Sequence, residues 1–280
     1  MTTFAVSGTI CSASDPDVSA FLYPFPCWCP PVLISATLTF ALAVILLITS
    51  FLSGIFGMAG GMILMGVLLP ILPVPTAMVL HAVSQMTSNG WRATLWARYI
   101  DWRIFARYTA GLAAALAIFA FVRMVPDRAM VLIILGIMPF IAVLIPDRLA
   151  PRADRPGGAE FAGFVGTVLQ LVSGVSGPML DIFFVRTMMD RRAVVATKAT
   201  CQVVTHLAKL IYFGGLAGGG DELSWTILVI AVVMAVIGTS ASRFVLERMT
   251  DAQFRRWTRG IVMGIGAVYI AQGIAAHIQG

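Results

Sequence analysis

The stretch Ser53-Gly54-Ile55-Phe56-Gly57-Met58-Ala59-Gly60-Gly61 interrupts an otherwise apolar run, and its opening returns as Ser173-Gly174-Val175-Ser176-Gly177-Pro178. The copies lie 173 − 53 = 120 residues apart. Glycine at this density breaks a helix, and inside a bilayer non-helical backbone is tolerated only where protein or a water-filled cavity surrounds it. Composition places the breaks in a bilayer. Of 280 residues, 59% are hydrophobic and 11% charged, whereas soluble chains carry roughly a quarter charged residues. An ordinary soluble enzyme is excluded. The net charge of +6 comes from arginines in short gaps between apolar runs, which is a topology signal. The expected partner is therefore a lipid bilayer and not nucleic acid.

Working outward from the breaks, apolar segments fall near 33–53, 58–72, 76–97, 104–124, 128–146, 159–174, 178–189, 193–214, 224–244 and 260–278. The pattern predicts an all-α polytopic membrane protein. Most segments approach the roughly 20 residues that cross a hydrocarbon layer, but 58–72 and 178–189 are too short. Arginines cluster at Arg98, Arg103 and Arg107, at Arg148, Arg152 and Arg155, at Arg186, Arg191 and Arg192, and at Arg248, Arg255, Arg256 and Arg259. If every segment changes side, these clusters share one face, with only Arg123 and Arg128 dissenting. The positive-inside rule makes that face cytoplasmic and both termini extracytoplasmic, in a cell (inner) membrane. Six full helices with two re-entrant hairpins have the same parity as ten passes, and both remain open. Residues 1–32 contain no Lys or Arg and hold Pro24, Pro26 and Pro30, so they read as a loose extracytoplasmic extension. Cys27-Trp28-Cys29 lacks the spacing of a zinc knuckle, and no metal is expected.

The duplication extends beyond the breaks. A shift of 117 residues places His81 on Lys198, Gln85 on Gln202, Asn89 on His206 and Arg92 on Lys209, and Asp101-Trp102 later stands opposite Ser224-Trp225. The halves are 33–146 and 159–278, joined by a cytoplasmic linker at 147–158. Parity sends the third segment inward and the eighth outward, so the expected architecture is two inverted repeats, each with a glycine-broken helix pair and three full helices. Folds of this kind bind their substrate near the midplane, where broken helices meet.

Each polar quartet falls within a narrow arc at about 100° per residue. Both lysines of the chain, Lys198 and Lys209, lie on one stripe with Gln202 and His206; His81, Gln85 and Asn89 lie on the other. Charges inside a membrane need partners, water or ligand. Arg92 and Lys209 also suit snorkelling to the interface, and the amides suit interhelical hydrogen bonding. After each break a short helix begins, and its first N–H groups lack intrahelical acceptors. Ser53, Gly57, Gly60, Ser173, Ser176 and Gly177 therefore outline two anion cradles, although small residues also permit close helix packing. Asp181 and Glu160 either neutralise basic neighbours or, with His206, are candidates to carry a coupling proton.

These residues resemble the sulfite exporter TauE/SafE family of membrane transporters, on Ser53 to Gly61, on Asp101-Trp102, and on their echoes at Ser173 to Pro178 and Trp225, over roughly 33–278. The resemblance implies a secondary transporter, in the exporting direction, for sulfite, sulfonates or related sulfur compounds. The residues themselves lead us to expect alternating access around a small anion. It would be bound by the two cradles and walled by Lys198, Gln202, His206, His81, Gln85 and Asn89. No phosphate-binding loop of the Walker type is present, and no cofactor or enzymatic activity is expected. Two rivals share some features. One is a passive anion channel. The other is an intramembrane serine protease using Ser176 and His206, against which the first copy carries Phe56 and Asn89 at those positions.

Overall fold

A computed structural model describes residues 36–145, 151–184, 187–217, 219, 223–246 and 248–279. The 1–32 extension with its cysteines, together with Arg148 and Arg186, lies outside the described residues. Ten α-helices stand where apolar segments are expected, and no strand occurs among the described residues. In order they are α1 (Ala36–Phe56), α2 (Met58–Leu68), α3 (Val74–Leu95), α4 (Trp102–Val122), α5 (Arg128–Leu144), α6 (Gly158–Ser173), α7 (Gly177–Phe184), α8 (Arg191–Ile211), α9 (Trp225–Leu246) and α10 (Asp251–Gln279). A 3₁₀ turn at Ala97–Tyr99 precedes α4, and a π-helical turn at Tyr212–Leu216 follows α8.

Local chemistry sets the helix ends. Asp101 caps α4 through Oδ1, which accepts from the N–H groups of Arg103 and Ile104 at 3.0 Å. Asp127 and Asp190 cap α5 and α8 in the same way. Ser224 receives the Ile227 N–H at 3.4 Å, so Asp101-Trp102 and Ser224-Trp225 match because both open a helix. Pro75 sits in the first turn of α3, where its missing N–H costs nothing.

Four described helices are long and apolar enough to cross a membrane: Ala36–Phe56, Trp102–Val122, Trp225–Val245 and Arg256–Ile278. Residues such as Phe121, 91% exposed, and Trp225, 81% exposed, point away from the protein, as they do in a chain whose surroundings are hydrocarbon. The chain is a multi-pass membrane protein. α3 and α8 match these helices in length but are less apolar because each carries its polar stripe inward. α2 and α7, with 11 and 8 residues, are about 17 and 12 Å long, half a bilayer or less.

The helices pair as α1 with α9, α4 with α6, α3 with α8, and α5 with α10. Small residues let backbones touch. A Cβ on Gly111 of α4 would lie 1.9 Å from the Glu160 carbonyl oxygen of α6, and one on Gly163 would lie 2.0 Å from that of Tyr108. Between α1 and α9, Gly238 abuts Leu47 and Phe51 while Gly54 abuts Ser242, so these helices run parallel. His81 meets Lys209 and Gly90 nears Val203, so α3 and α8 run antiparallel. Gly136 meets Gly266 while Gly273 meets Ile133, so α5 and α10 are antiparallel too. The linker is pinned at Ala153, whose N–H donates to the Phe183 carbonyl at 3.0 Å. The Arg152 guanidinium, hydrogen-bonded to Asp154, holds that carboxyl below the usual carboxylate range, and the Met188 N–H adds to the effect.

Gly111→Ala should push α4 from α6 and cost about 1–3 kcal/mol, lowering the unfolding temperature and the recovery of monodisperse protein in detergent. Gly264→Ala has open space at its Cβ and should leave both unchanged. Equal behaviour of the two variants would contradict the close α4–α6 packing.

Candidate functional site

The first break is a single residue. Gly57, at φ 64° and ψ −104°, occupies backbone space that a side chain disfavours, and it ends α1 and starts α2 with no side-chain cap. The second break runs from Gly174, left-handed at φ 79°, to Gly177. The breaks face each other: a Cβ on Gly177 would lie 2.7 Å from the Met58 Cβ and 3.5 Å from Nε2 of Gln202. Between them is a small cavity. Ser53, Gly57, Met58 and Gly61 line it from the first break, and Val175, Ser176 and Gly177 from the second. His81, Gln85 and Asn89 of α3 and Gln202 and His206 of α8 complete the wall. About 10 Å³ of it is open to the centre of a water molecule, room for roughly one water.

Nine residues expected at the site thus line one cavity: Ser53, Gly57, His81, Gln85, Asn89, Ser176, Gly177, Gln202 and His206. Three others stand elsewhere, each for a packing or pairing reason. Gly60 lies against α1, where a Cβ would meet Ser53 N and Thr49 O at 2.3 Å, so it permits close packing. Ser173 turns its hydroxyl to the carbonyls of Leu169 and Val175, at 2.8 and 3.0 Å. Lys198 is bonded to Asp181, each side chain about a fifth exposed, so its charge is neutralised outside the cavity. Glu160 is likewise occupied, bound by Arg107 at 2.7 and 2.8 Å, which ties α4 to α6.

The hydrogen bonds around the breaks specify the polar wall. Arg92 does not extend to the interface but donates through Nη2 to the Ser53 carbonyl at 2.9 Å. Lys209 also stays inside, fully buried, donating through Nζ to the Gly174 carbonyl at 3.0 Å and to Nδ1 of His81 at 2.8 Å. The Gly61 carbonyl can only accept, so Nε2 of His81 carries the hydrogen and donates to it at 2.9 Å, which leaves Nδ1 to accept from Lys209. Gln170 donates through Nε2 to the Gly174 carbonyl at 2.9 Å and to Nδ1 of His206 at 3.0 Å, and its Oε1 accepts from Ser176 at 2.8 Å. His206 is then also an Nε2–H tautomer. The two imidazole rings stand 5.6 Å apart. The buried Gln85 leaves its Nε2 without a partner, a free donor on the wall. Ser176 directs its hydroxyl to Gln170, which also occupies Nδ1 of His206, so no serine–histidine hydrogen bond forms.

The sequence pointed to no role for Gln170 and left Lys209 open between the inward stripe and the interface. Gln170 is the single amide of α6, one turn before the break, and that isolation in an apolar half-helix was its signal. Lys209 near the end of α8 offers no such sign, because the same position suits a snorkelling lysine.

Apolar faces outward, and paired broken helices around a buried polar cavity, define a multi-pass membrane protein of the transport class. Residues 41–269 match the family described as Sulfite exporter TauE/SafE, and the chain belongs to that family. It is 29% identical over 233 residues, covering 79% of this chain and 90% of the relative, to a protein of Cupriavidus necator described as "Probable sulfite/organosulfonate exporter TauE". No solved structure matches the chain.

Asp181→Asn should strand the Lys198 ammonium and cost about 1–3 kcal/mol, less than the roughly 3–5 kcal/mol for breaking a fully buried pair. Combining Asp181→Leu with Lys198→Met should recover at least half of the lost unfolding temperature. If single and double variants lose the same amount, the pair does not stabilise the fold.

Proposed function

We propose that this chain is a secondary transporter, working as an exporter, for a small sulfur oxyanion or organosulfonate held between the two helix breaks. The observation that carries the reading is the convergence of both breaks and both polar stripes on one cavity. No carboxylate lines it among the described residues, while the Arg92 and Lys209 cations each stand one residue behind its wall, at Ser53 and His81. The uncapped first turn of α2, the Gln85 amide and the Nε2–H of His206 suit an anion. The name of the Cupriavidus necator relative supports a sulfur substrate and the outward direction. Lys198, bonded to Asp181, takes no part in this reading.

Alternating access between two inverted halves is the proposed mechanism, with both termini outside a cell (inner) membrane. Helix pairing supports it. Exchanging each helix for its counterpart in the other half turns the α1–α9 pair into α6–α4 and returns α3–α8 and α5–α10 to themselves. The two self-paired sets run antiparallel, as halves of opposite orientation require. A cavity with room for about one water suits a carrier whose walls part for the substrate better than an open channel. The engagement of Ser176 and His206 with Gln170 weighs against a protease.

Gln202→Ala and His206→Ala should each lower sulfite flux from loaded proteoliposomes by about ten- to a hundredfold, the value of a hydrogen bond to a charged partner, while the protein remains inserted and monodisperse. Undiminished flux from both variants would rule out this cavity as the binding site.

A further inference from the structure

Lys209 and Arg92 stand 117 residues apart, as the two stripes do, and perform one task with different chemistry. Arg92 holds the Ser53 carbonyl where α1 ends, and Lys209 holds the Gly174 carbonyl where α6 ends. A guanidinium keeps its charge in a protein, whereas a lysine ammonium can give up its proton. The hydrogen bonding at Lys209 tolerates both states. Its two observed partners, the Gly174 carbonyl and Nδ1 of His81, need two hydrogens, and a neutral amine still supplies two. Among the described residues no carboxylate pairs with Lys209. When protonated it therefore faces the cavity uncompensated, across the single imidazole ring of His81.

We infer that Lys209 is the switchable charge of the cavity, binding a proton when an anion enters and releasing it when the anion leaves. This rests on the proposed anion site. The proton comes from water on the side to which the cavity opens and goes to Nζ; no other bond is made or broken. Linkage is reciprocal, so the anion holds the proton as the proton holds the anion. His81 of α3 and His206 of α8 flank Lys209 on the cavity side. Tyr212, in the π-helical turn, donates to the Met124 carbonyl, and Tyr108 of α4 bonds Thr205. Asp181 of α7 is bound to Lys198, Glu160 of α6 to Arg107, and Tyr99 of the 3₁₀ turn, beside Arg98, to Arg192. Fixed partners leave Lys209 and the two histidines as the groups that an entering anion can charge.

Methanesulfonate, whose charge does not change over about pH 6–10, separates protein titration from ligand titration. Calorimetry of the purified full chain in two buffers of different ionisation enthalpy should register proton uptake on methanesulfonate binding, rising toward one per site in the alkaline range. The dissociation constant should weaken by up to about tenfold per pH unit there. Lys209→Arg should bind with an affinity that no longer varies across the alkaline range and with no proton uptake, and Lys209→Gln should bind at least tenfold more weakly than the wild type at pH 6. Wild-type binding without proton uptake at any pH, or an alkaline slope retained in Lys209→Arg, would overturn the inference. If neither variant can be recovered folded, the wild-type buffer comparison above about pH 8 decides it, because histidine ordinarily titrates lower. Absence of methanesulfonate binding to the wild type at every pH would instead remove the anion site itself.

Discussion

A helix that ends inside lipid leaves carbonyl groups at one side of the break and N–H groups at the other, with no water to receive them. Each costs several kcal/mol if left bare in hydrocarbon. Much of the polar chemistry buried in this protein answers that constraint. Arg92 takes the Ser53 carbonyl, while Lys209 and Gln170 share that of Gly174. Ser53 adds its hydroxyl to the Gly57 carbonyl at 3.0 Å. The carbonyl side of both breaks is thus met by side chains, whereas α2 starts with no side-chain cap beside the cavity. Partnered acceptors and uncapped donors are the arrangement on which the proposed anion site rests.

The two halves share this plan but not its chemistry. Where the first copy has Phe56, Asn89 and Arg92, the second has Ser176, His206 and Lys209. The first set holds a guanidinium, whose charge is fixed, and the second an imidazole and an amine, which are titratable side chains. Gln170 then draws Ser176, Gly174 and His206 into one network with both of its amide hydrogens used. In the first half Gln85 accepts from the Ser53 hydroxyl at 3.3 Å through Oε1 and from Asn89 at 2.8 Å through its carbonyl, but its Nε2 retains a free donor.

Close packing around the breaks gives these short hydrogen bonds their geometry. α1 and α9, α4 and α6, and α5 and α10 approach through glycines whose added Cβ atoms would collide with the neighbouring backbone or side chain. Large apolar side chains such as Phe40 and Phe121 project outward instead. In lipid this arrangement is reasonable, because burying such side chains between helices gains little when the surroundings are already apolar.

Helix number, the two short helices, the break positions and the polar stripes were legible in the sequence, because each depends on residues near one another in the chain: apolar runs, glycine clusters and a period of about 3.6. The capping role of Asp101 is equally local. Which polar residues meet was a different matter. Lys198 looked like the cation of the site from its place on the stripe, yet Asp181 on another helix neutralises it. Lys209 suited either the inward stripe or the interface, and the α6 break, 35 residues earlier, draws it inward. Gly60 and Ser173 shared a motif with true wall residues, but packing against α1 and local carbonyls took them away. The sequence by itself therefore determined where the helices break and which faces are polar, since both follow from local pattern. Only the tertiary structure decided which cation remains uncompensated beside the cavity, because the partner that cancels or spares a charge comes from a distant helix.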